Sequence, residues 1–427
     1  MTSEQNGIAG GEPAEGGTTL TSFLENVKNI DAASFQNEGE RMQALLAAQA
    51  LLARLESPWD TAVRLNMTQP ALGAAIKTAL DLKLFEAWLA QGNGALTSEQ
   101  AAELIGGKCD SALLYRLLRL MAANHLVEEV GVGRFKPTQF GIALTAPVFH
   151  GLFNTYYDLI LPTYVSLPSF LASTNYANPQ DPRRTAFQHA HAWEGDLWSY
   201  YRAHPEKQDE FNKVQESIAL QQPSWTEIYP AGELVKGCDE SGPLLVDVGG
   251  GTGHDVRRFC EVVPELRERV WLEDVQEVVG IADVPGDVGR VGYDFFTPQP
   301  IQGMSFRSFP ILERGVADLG VEGARAYLMH SVLHDWPDEQ ARRILEMQKG
   351  AMTPGYSRLL IHDHVDVLGP AKPQAAAFDI QMMALVAGRE RSEEDWRSLL
   401  GSVGMRFLGV WEREGAAHCV IEVEVPP

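Results

Sequence analysis

Apolar residues recur at helical spacing through the first half of the chain. The runs ERMQALLAAQALLARL (residues 40–55) and MTQPALGAAIKTALDLKLFEAWLAQG (67–92) place leucines and alanines three or four positions apart, which predicts helices. Thr97-Ser98-Glu99-Gln100 is a capping-box pattern and predicts a further helix start. SALLYRLLRLMAANHLVEEV (111–130) and the short GVGRFKPT (131–138) follow. This order of helix, helix and hairpin is typical of a winged helix.

The leucine-rich helix has a wide apolar face. Only Arg116 and Arg119 stand among its leucines to contact a phosphate backbone. Such a face has to be covered by something, so we expect a packing or dimerisation platform here rather than a DNA-binding element. The leucines concerned are Leu113, Leu114, Leu117, Leu118 and Leu120.

Aromatic residues are dense in the segments that come next. FHGLFNTYYDLILPTY (149–164) and WEGDLWSYYRAHPEKQDEFNKV (193–214) read as helices whose Phe, Tyr and Trp side chains mostly fill a core. Helices of this composition also line pockets for aromatic ligands. We expect Phe187 and Ala219, which flank this region, to contact such a ligand.

The pattern changes after Tyr229. Short apolar runs, LLVDVGG (244–250), RVWLED (269–274), ARAYLMHSVL (324–333) and RLLIHDHV (358–365), alternate with helical segments. Alternating strands and helices predict a doubly wound, largely parallel α/β sheet, whose ligands bind at the carboxyl ends of the strands. We therefore expect a weakly ordered tail over 1–39, a helical winged-helix-like domain over 40–229 and a ligand-binding α/β domain over 230–427.

Composition narrows the class of protein. The 427 residues allow two or three domains, and the formal net charge of −22 disfavours nucleic acid and anionic membranes as partners. The four cysteines lack metal-ligand spacing and read as reduced thiols. The amino-terminal segment lacks the features of a secretory signal, and no run of about 18 apolar residues occurs. We expect a cytoplasmic protein without a membrane span.

A glycine-rich turn closes the first strand of the α/β domain. It reads Asp247-Val-Gly-Gly-Gly-Thr-Gly253, and glycines there let the backbone approach a ligand closely. A dinucleotide fingerprint requires a third glycine where His254 stands, so that interpretation is weakened. Asp274 ends the second strand, where a carboxylate can accept both hydroxyls of a ribose. Adenosine with a sulfonium amino-acid tail fits this turn better than a dinucleotide.

Two further positions strengthen the adenosine interpretation. Asp294-Phe295 follows the next strand and suits the amine and ring face of adenine, while His330 ends the strand before HSVLHDWPDEQ (330–340). The competing interpretations are a turn aspartate and a core phenylalanine.

The stretch HSVLHDWPDEQ contains His334, either a proton acceptor or a core histidine. Asp335 beside it either contacts substrate or, as we favour, caps the helix that begins after Pro337. His362-Asp363-His364 resembles a metal-binding pattern. On a strand, however, both histidines face away from Asp363 and no third ligand has suitable spacing, so we expect no metal site.

The ordered motifs resemble the plant-type small-molecule O-methyltransferases, in the branch common in fungal polyketide pathways. The motifs are LLVDVGGGTG, WLEDVQEVV, VGYDFF, VLHDWPDEQ and GRERSEEDW, and MTQPALGAAIKTALDLKLFE and FNKV resemble the family's dimerisation domain. The resemblance implies a Rossmann-like methyltransferase domain preceded by a helical winged-helix dimerisation domain, a homodimer, a small polyketide-like substrate and S-adenosyl-L-methionine as cofactor. The family's usual Asp-Leu-Pro is here Asp274-Val275-Gln276.

Carried over by position, the resemblance implies a site. His334 is the general base, flanked by Asp363 and Glu390, with Asp363 in place of the more usual Glu. Many members have Lys or Arg where this chain has His330. The implied cofactor shell comprises Asp247, Gly249, Gly251, Asp274, Asp294, Phe295 and His330, and the expected substrate contacts are Asp335, Ala219 and Phe187.

The chemistry is consistent with these roles. A phenol with a pKa near 10 is a poor nucleophile at neutral pH, and an imidazole with a pKa near 6.5 can accept its proton during attack on the sulfonium methyl. On this basis the rate is expected to rise with pH through the imidazole pKa. Two alternatives from other classes stay open: a pericyclic or rearrangement catalyst that uses the cofactor only as a bound cation, and a non-catalytic winged-helix regulator.

Overall fold

A computed structural model describes residues 19–220, 222–239, 242–302, 323–366, 373–414 and 416–427. The chain divides into two compact units, Met1–Thr61 and Ala62–Pro427. Part of the predicted tail, residues 1–18, lies outside the described residues. Among the described residues, no helix has the length and apolar character needed to cross a membrane.

The α-helices of the described residues are α1 (Leu20–Val27), α2 (Glu38–Leu55), α3 (Pro58–Val63), α4 (Gln69–Asp81), α5 (Leu84–Ala90), α6 (Ser98–Leu104), α7 (Ser111–Ala123), α8 (Gln139–Ala143), α9 (Pro147–Thr155), α10 (Leu161–Ser173), α11 (Ala186–His191), α12 (Leu197–Ala203), α13 (Pro205–Leu220), α14 (Trp225–Ile228), α15 (His254–Val262), α16 (Gln276–Val279), α17 (Asp338–Lys349), α18 (Pro373–Val386) and α19 (Glu393–Ser402).

The strands are β1 (Leu96–Thr97), β2 (Val127–Gly131), β3 (Arg134–Pro137), β4 (Leu245–Val248), β5 (Val270–Asp274), β6 (Gly289–Gly292), β7 (Ala326–His330), β8 (Arg358–Asp363), β9 (Val365–Asp366), β10 (Arg391–Ser392), β11 (Arg406–Trp411) and β12 (Cys419–Glu424).

The first unit contains two apolar but uncovered helices. Thr19 caps α1 within the predicted tail, and Asn37 caps α2. Neither helix buries a side chain among the described residues. Leu45, Leu52 and Leu55 of α2 are among the large apolar residues left exposed.

The winged-helix order is confirmed in the second unit. Thr97 and Gln100 form the predicted capping box at the start of α6, and α7 precedes a small sheet with strand order β1-β3-β2. The leucine face of α7 is covered by the unit itself, because Leu114 and Leu118 are fully buried in a core with Phe135. Leu113 alone of the five predicted leucines is largely exposed. Of the two expected roles of this face, packing or dimerisation, the structure shows packing within the unit.

The predicted doubly wound sheet is confirmed. Seven strands follow the order β11-β12-β8-β7-β4-β5-β6, in which β4 to β8 are parallel and β12 and β11 are antiparallel additions. Successive residues of β7 face opposite sides. Tyr327 and Met329 pack in the apolar cluster that holds α17 and α19, while Ala326 and Leu328 pack in the cluster that holds α15. Helices thus cover both faces of the sheet.

The parallel strands bring the candidate site residues to one edge of the sheet. β4 ends at Val248, just before the glycine turn, while β5 ends at Asp274 and β7 at His330. β8 ends at Asp363. The carboxyl ends of neighbouring parallel strands form the ligand-binding edge of this architecture.

Candidate active site

A cavity of about 930 Å³ opens at the carboxyl ends of β4, β5 and β7. Its walls come from the strand ends and from α12 and α13 of the helical region. Residues that line it include Trp198, Arg202, Phe211, Ala219, Gly249, Gly250, Gly251, Thr252, His254, Asp274, Asp294, Phe295, Phe296, His330, Val332, Asp335, Trp336 and His418. A space of this size accommodates a cofactor together with a small substrate.

The glycine turn presents backbone to the cavity. Gly249, Gly251 and Gly253 have φ of 73°, 59° and 90°, in the left-handed region that favours glycine. A Cβ at Gly253 would stand 2.2 Å from the Val284 side chain. Glycine is therefore required in this turn both by the backbone conformation and, at Gly253, by close packing.

Asp274 is held at the cavity edge by two backbone donors. Its Oδ2 accepts from the Gly251 N–H at 2.9 Å and its Oδ1 from the Val275 N–H at 2.7 Å. Burial raises the pKa of Asp274, and these two hydrogen bonds work in the opposite direction. Each carboxylate oxygen keeps a further lone pair, so the group can accept the two hydroxyls of a ribose.

Asp294 and Phe295 also line the cavity, as the sequence predicts. Asp294 is exposed, and its Oδ1 accepts from the Phe296 N–H at 3.0 Å, which is the turn geometry that was the competing interpretation. The Phe295 ring packs edge-on against Trp336, with centroids 5.9 Å apart. The turn contact leaves the second Asp294 oxygen available, so the two interpretations are compatible.

Asp247 lies beneath the glycine turn rather than in the cavity. It is fully buried, and a Cβ at Gly250 would stand 2.4 Å from its Oδ2. Neither carboxylate oxygen has a hydrogen-bond partner among the described residues. Burial, reinforced by the neighbouring Asp255, raises the pKa of Asp247 well above its ordinary value. The prediction that Asp247 contacts the cofactor is therefore corrected: its side chain is buried under the turn.

His334 is buried among three carboxylates. Its Nδ1 donates to Glu390 Oε1 at 2.9 Å, while Asp363 Oδ1 lies 3.4 Å from the same nitrogen. Asp363 makes no side-chain hydrogen bond within the described part of the chain. Asp363, which is one methylene shorter than the usual Glu, therefore lies at ion-pair distance from His334. The hydrogen bond to His334 Nδ1 is made by Glu390 instead. On the other side of the ring, Nε2 is 3.6 Å from Asp335 Oδ1.

The carboxylates reverse the effect of burial on the imidazole. Burial alone lowers the pKa of His334, but Asp363, Asp335 and Glu390 raise it to about 10. Burial raises the pKa of Asp335 to about 7, with the His334 charge opposing the rise. Burial raises the pKa of Glu390, but the hydrogen bond with His334 and the charges of His334, His364 and Arg391 together lower it. The raised pKa means that His334 is mostly protonated at neutral pH.

Asp335 faces the cavity and does not cap the following helix. Helix α17 has Pro337 as its N-cap residue, without a side-chain hydrogen bond. Asp335 lines the cavity, whereas His334 lies behind it. The favoured capping role is therefore corrected; Asp335 lies in the cavity wall, and its contact with substrate stays a prediction.

A buried arginine holds the turn that carries His334. Arg391 donates to the carbonyl oxygens of Leu333 at 2.8 Å and Trp336 at 2.7 Å, and to Asp338 at 2.9 Å. The Arg389 N–H donates to the His334 carbonyl oxygen at 2.9 Å. Arg391 was not singled out in the sequence, although it lies in the motif GRERSEEDW next to Glu390. An arginine next to a predicted active-site carboxylate is the signal that was missed.

The two predicted pocket-lining residues of the helical region differ in outcome. Ala219 on α13 lines the cavity. Phe187 is fully buried and packs against His191 and Tyr200, with ring centroids 4.9 and 5.4 Å away. The prediction that Phe187 contacts substrate is therefore wrong, because α11 directs this side chain into a core. The cavity instead receives Trp198 and Phe211 from this region.

Comparison with known proteins finds relatives over the full length. Residues 311–406 match the family model described as an O-methyltransferase domain. O-methyltransferase mfmE of Annulohypoxylon moriforme is 47% identical over 425 residues, which cover 100% of both chains. O-methyltransferase ATR12 of Stachybotrys chlorohalonatus is 30% identical over 422 residues, 96% of this chain and 99% of that one.

Solved structures share the fold. One described as a pericyclic reaction enzyme has a TM-score of 0.81 at 24% identity, covering 95% of this chain and 99% of its own. LepI in complex with S-adenosylmethionine has a TM-score of 0.80 at 25% identity, covering 95% and 97%. OxaC in complex with S-adenosylhomocysteine and oxaline has a TM-score of 0.77 at 23% identity, covering 95% and 96%.

Proposed function

The chain belongs to the O-methyltransferase family, and on that premise we propose that it methylates a phenolic hydroxyl of a small secondary metabolite such as a polyketide, with His334 as the general base. Enzymes of this family use S-adenosylmethionine. The observation that carries the proposal is the buried His334, hydrogen-bonded to Glu390 at 2.9 Å, directly behind the cavity-lining Asp335.

The cofactor position is supported by the glycine turn and Asp274. The turn offers backbone to the amino-acid portion of the cofactor, and the fixed Asp274 carboxylate offers acceptors to its ribose. Phe295 and Asp294 line the same cavity and suit the adenine ring and its amine. The sulfonium supplies a methyl group that needs little activation, so the chain chiefly has to align the acceptor oxygen.

The catalytic residues are argued from their positions around the imidazole. Glu390 holds Nδ1–H, which leaves Nε2 to accept a proton from the cavity side. Asp363, 3.4 Å from Nδ1, stabilises the imidazolium that forms. Asp335 lies between Nε2 and the cavity and positions the substrate hydroxyl.

The substrate class is argued from the cavity wall. Trp198 and Phe211 from the helical region and Phe296 and Trp336 from the α/β region all line the cavity. Flat aromatic walls favour an aromatic acceptor. We accordingly assign substrate lining and dimerisation to residues 40–229 and cofactor binding to 230–427.

A homodimer is the assembly that we propose. Large apolar side chains stay exposed on the described part of the first unit, residues 19–61, including Leu24, Leu45, Leu52 and Trp59. An apolar surface of this kind usually marks a protein interface. A second copy of the chain is the occupant that we propose, because the family resemblance places dimerisation in the helical half.

Mass spectrometry tests the reaction. Purified enzyme is incubated with S-adenosylmethionine and a panel of phenolic polyketides, and both the added mass of one CH₂ and the release of S-adenosylhomocysteine are measured. We expect the two signals in equal amounts. Transformation of a substrate without release of S-adenosylhomocysteine would instead identify a rearrangement catalyst that uses the cofactor as a cation. Specific DNA binding without turnover would identify a regulator.

A further inference from the structure

Four histidines meet beside the cavity, one each from β7, β8, the segment after β8 and the segment before β12. The parallel register places His330 of β7 opposite His362 of β8, and their ring centroids are 4.0 Å apart. His418, just before β12, approaches both: its Nδ1 lies 3.3 Å from His330 Nε2. Its Nε2 lies 3.1 Å from His364 Nε2. This group of His330, His362, His364 and His418, the histidine cluster, is separate from His334 and its carboxylates.

The hydrogen bonds at both ends of the histidine cluster fix its tautomers. His364 Nδ1–H donates to the Ala417 carbonyl oxygen at 2.9 Å, so His364 Nε2 is an acceptor and His418 Nε2–H must donate to it. At the other end, His330 Nδ1–H donates to Asp255 Oδ2 at 2.5 Å. His330 Nε2 and His418 Nδ1 are then both lone-pair atoms that face each other across 3.3 Å. A cation or a proton has to lie between them.

His362 adds a third imidazole whose ring nitrogens lack a hydrogen-bond partner. Only 2% of its surface is exposed, yet neither ring nitrogen has a hydrogen-bond partner within the described ranges. A proton shared by His330 and His418 leaves both His362 nitrogens unsatisfied, which is costly for a buried polar group. A metal ion can bind one nitrogen of each of the three imidazoles at once, which leaves a single His362 nitrogen without a partner instead of two.

We propose that His330, His362 and His418 bind one divalent transition-metal ion, with zinc as the expected occupant. One ligand nitrogen of each residue lies within 4.8 Å of the others. Zn–N bonds of about 2.0–2.1 Å in tetrahedral geometry place two nitrogens roughly 3.3 Å apart. The observed separation of His330 Nε2 and His418 Nδ1 is 3.3 Å. Three imidazoles form a ligand set that suits zinc and leave a fourth position free.

The surroundings of the site support this assignment. Asp255 receives the other N–H of His330, and His364 receives the other N–H of His418, the outer hydrogen bonds that orient metal-binding histidines. His330 and His418 line the cavity, which gives an ion an entry path and offers the fourth position to water or a carboxylate oxygen. Sequence spacing does not show these ligands, because only the sheet brings His330 of β7 and His418, just before β12, to His362.

Zinc binding tests the proposal without reference to methyl transfer. The full chain is prepared without an oligohistidine tag, stripped with a chelator, equilibrated with zinc alone, and passed through a desalting column before elemental analysis. We expect about one zinc per chain. His362→Phe, which keeps the ring volume, and His418→Gln should each weaken zinc binding by at least roughly 100-fold, and Asp255→Asn by about 10- to 100-fold. Cobalt in place of zinc should give the intense visible absorption of a tetrahedral site.

Two control variants locate the ion. His189→Gln removes an exposed histidine and should leave zinc binding unchanged. Glu390→Gln alters the second group of potential ligands, formed by His334, Asp363 and Glu390, and should also leave it unchanged. Loss of zinc in Glu390→Gln but not in His362→Phe would overturn the assignment. A stripped wild type that takes up no zinc at micromolar concentration would also overturn it, and a proton would then close the gap between His330 and His418.

Discussion

His334 is the residue on which the proposed chemistry depends most. Replacing it with Ala should lower turnover by about 10²- to 10⁴-fold, because the phenol loses its proton acceptor. Binding of S-adenosylmethionine and substrate should stay nearly normal, since the residue lies behind the cavity wall. Steady-state kinetics and calorimetry separate the two effects. A strongly acidic phenol should depend less on His334, and full activity of His334→Ala with ordinary phenols would show that the residue is structural.

The pH dependence of the rate should differ from that of an ordinary histidine base. Only the neutral ring accepts a proton, and the surrounding carboxylates raise the pKa of His334 to about 10. Below this pKa the neutral fraction grows about tenfold per pH unit. We therefore expect kcat/KM to keep rising between pH 7 and 9 instead of levelling near 6.5, which revises the expectation from sequence. A plateau near pH 7 would contradict the raised pKa.

Glu390→Gln tests the cause of that raised pKa. The amide oxygen can still accept from His334 Nδ1–H, but one of the negative charges that favour the imidazolium is removed. The rise of kcat/KM with pH should therefore shift to lower pH, and the pH profile of the variant measures this shift. An unchanged profile would mean that another group controls the pH dependence.

Asp274 should govern cofactor affinity. Asp274→Ala removes the carboxylate that two backbone N–H groups hold at the cavity edge, and with it the acceptors for the ribose hydroxyls. We expect S-adenosylmethionine binding to weaken by about 2 to 3 kcal/mol, the scale of charge-assisted hydrogen bonds. Calorimetry measures the effect, and Asp287→Ala, at an exposed position nearby, serves as the control. Equal affinity of the Asp274 variant and the wild type would reject the ribose contact.

At the scale of elements, the short turn that carries His334 depends on the segment before α19. Gly388 lies so close that a Cβ there would stand 2.1 Å from the His334 carbonyl oxygen. The fully buried Arg391 also donates hydrogen bonds to the carbonyl oxygens of Leu333 and Trp336. The turn is therefore positioned by a segment more than 50 residues away in sequence.

Arg391 should affect both stability and catalysis through this turn. Arg391→Ala removes the donor of the Trp336 carbonyl and leaves the Leu333 carbonyl only its 3.3 Å bond from the Trp336 N–H. We therefore expect the free energy of unfolding to fall by about 2 to 4 kcal/mol and kcat to fall as His334 loses its position. Denaturant unfolding and kinetics measure the two effects. Arg391→Lys keeps the charge but lacks the planar fork, so it should recover only part of the stability.

Arg389→Ala is the matched control for Arg391. Its side chain is partly exposed and pairs with Asp395, while its bond to His334 comes from the backbone and survives the substitution. We expect a change within about 0.5 kcal/mol. Equal destabilisation by the two substitutions would show that the buried contacts of Arg391 do not hold the turn.

At the scale of the whole molecule, the exposed apolar surface of residues 19–61 should form a dimer contact. Light scattering should give a dimer at micromolar concentration. Leu52→Glu, on α2, should weaken the dimer without lowering the stability of the subunit fold, because Leu52 is 47% exposed. Val132→Glu, at a fully exposed hairpin position, should leave the dimer unchanged. A monomeric wild type would contradict the proposal.

The sequence by itself determined the features that depend on local chemistry. The glycine turn needs left-handed backbone at Gly249 and Gly251, and the capping box at Thr97 needs only its own next three residues. The alternation of strands and helices predicted the parallel sheet, and the carboxyl ends of its strands then placed Asp274 and His330 on one edge. Each of these signals lies within a few residues of the structure it specifies.

Only the tertiary structure decided which distant side chains meet and which way they face. The bond between His334 and Glu390 spans 56 positions, and the contact between His330 and His418 spans 88. Helical periodicity could not show that Phe187 turns into a core, since a pocket and a core both favour aromatic side chains. Burial and neighbouring charge set the pKa of His334, and both arise only when separate strands and loops pack together.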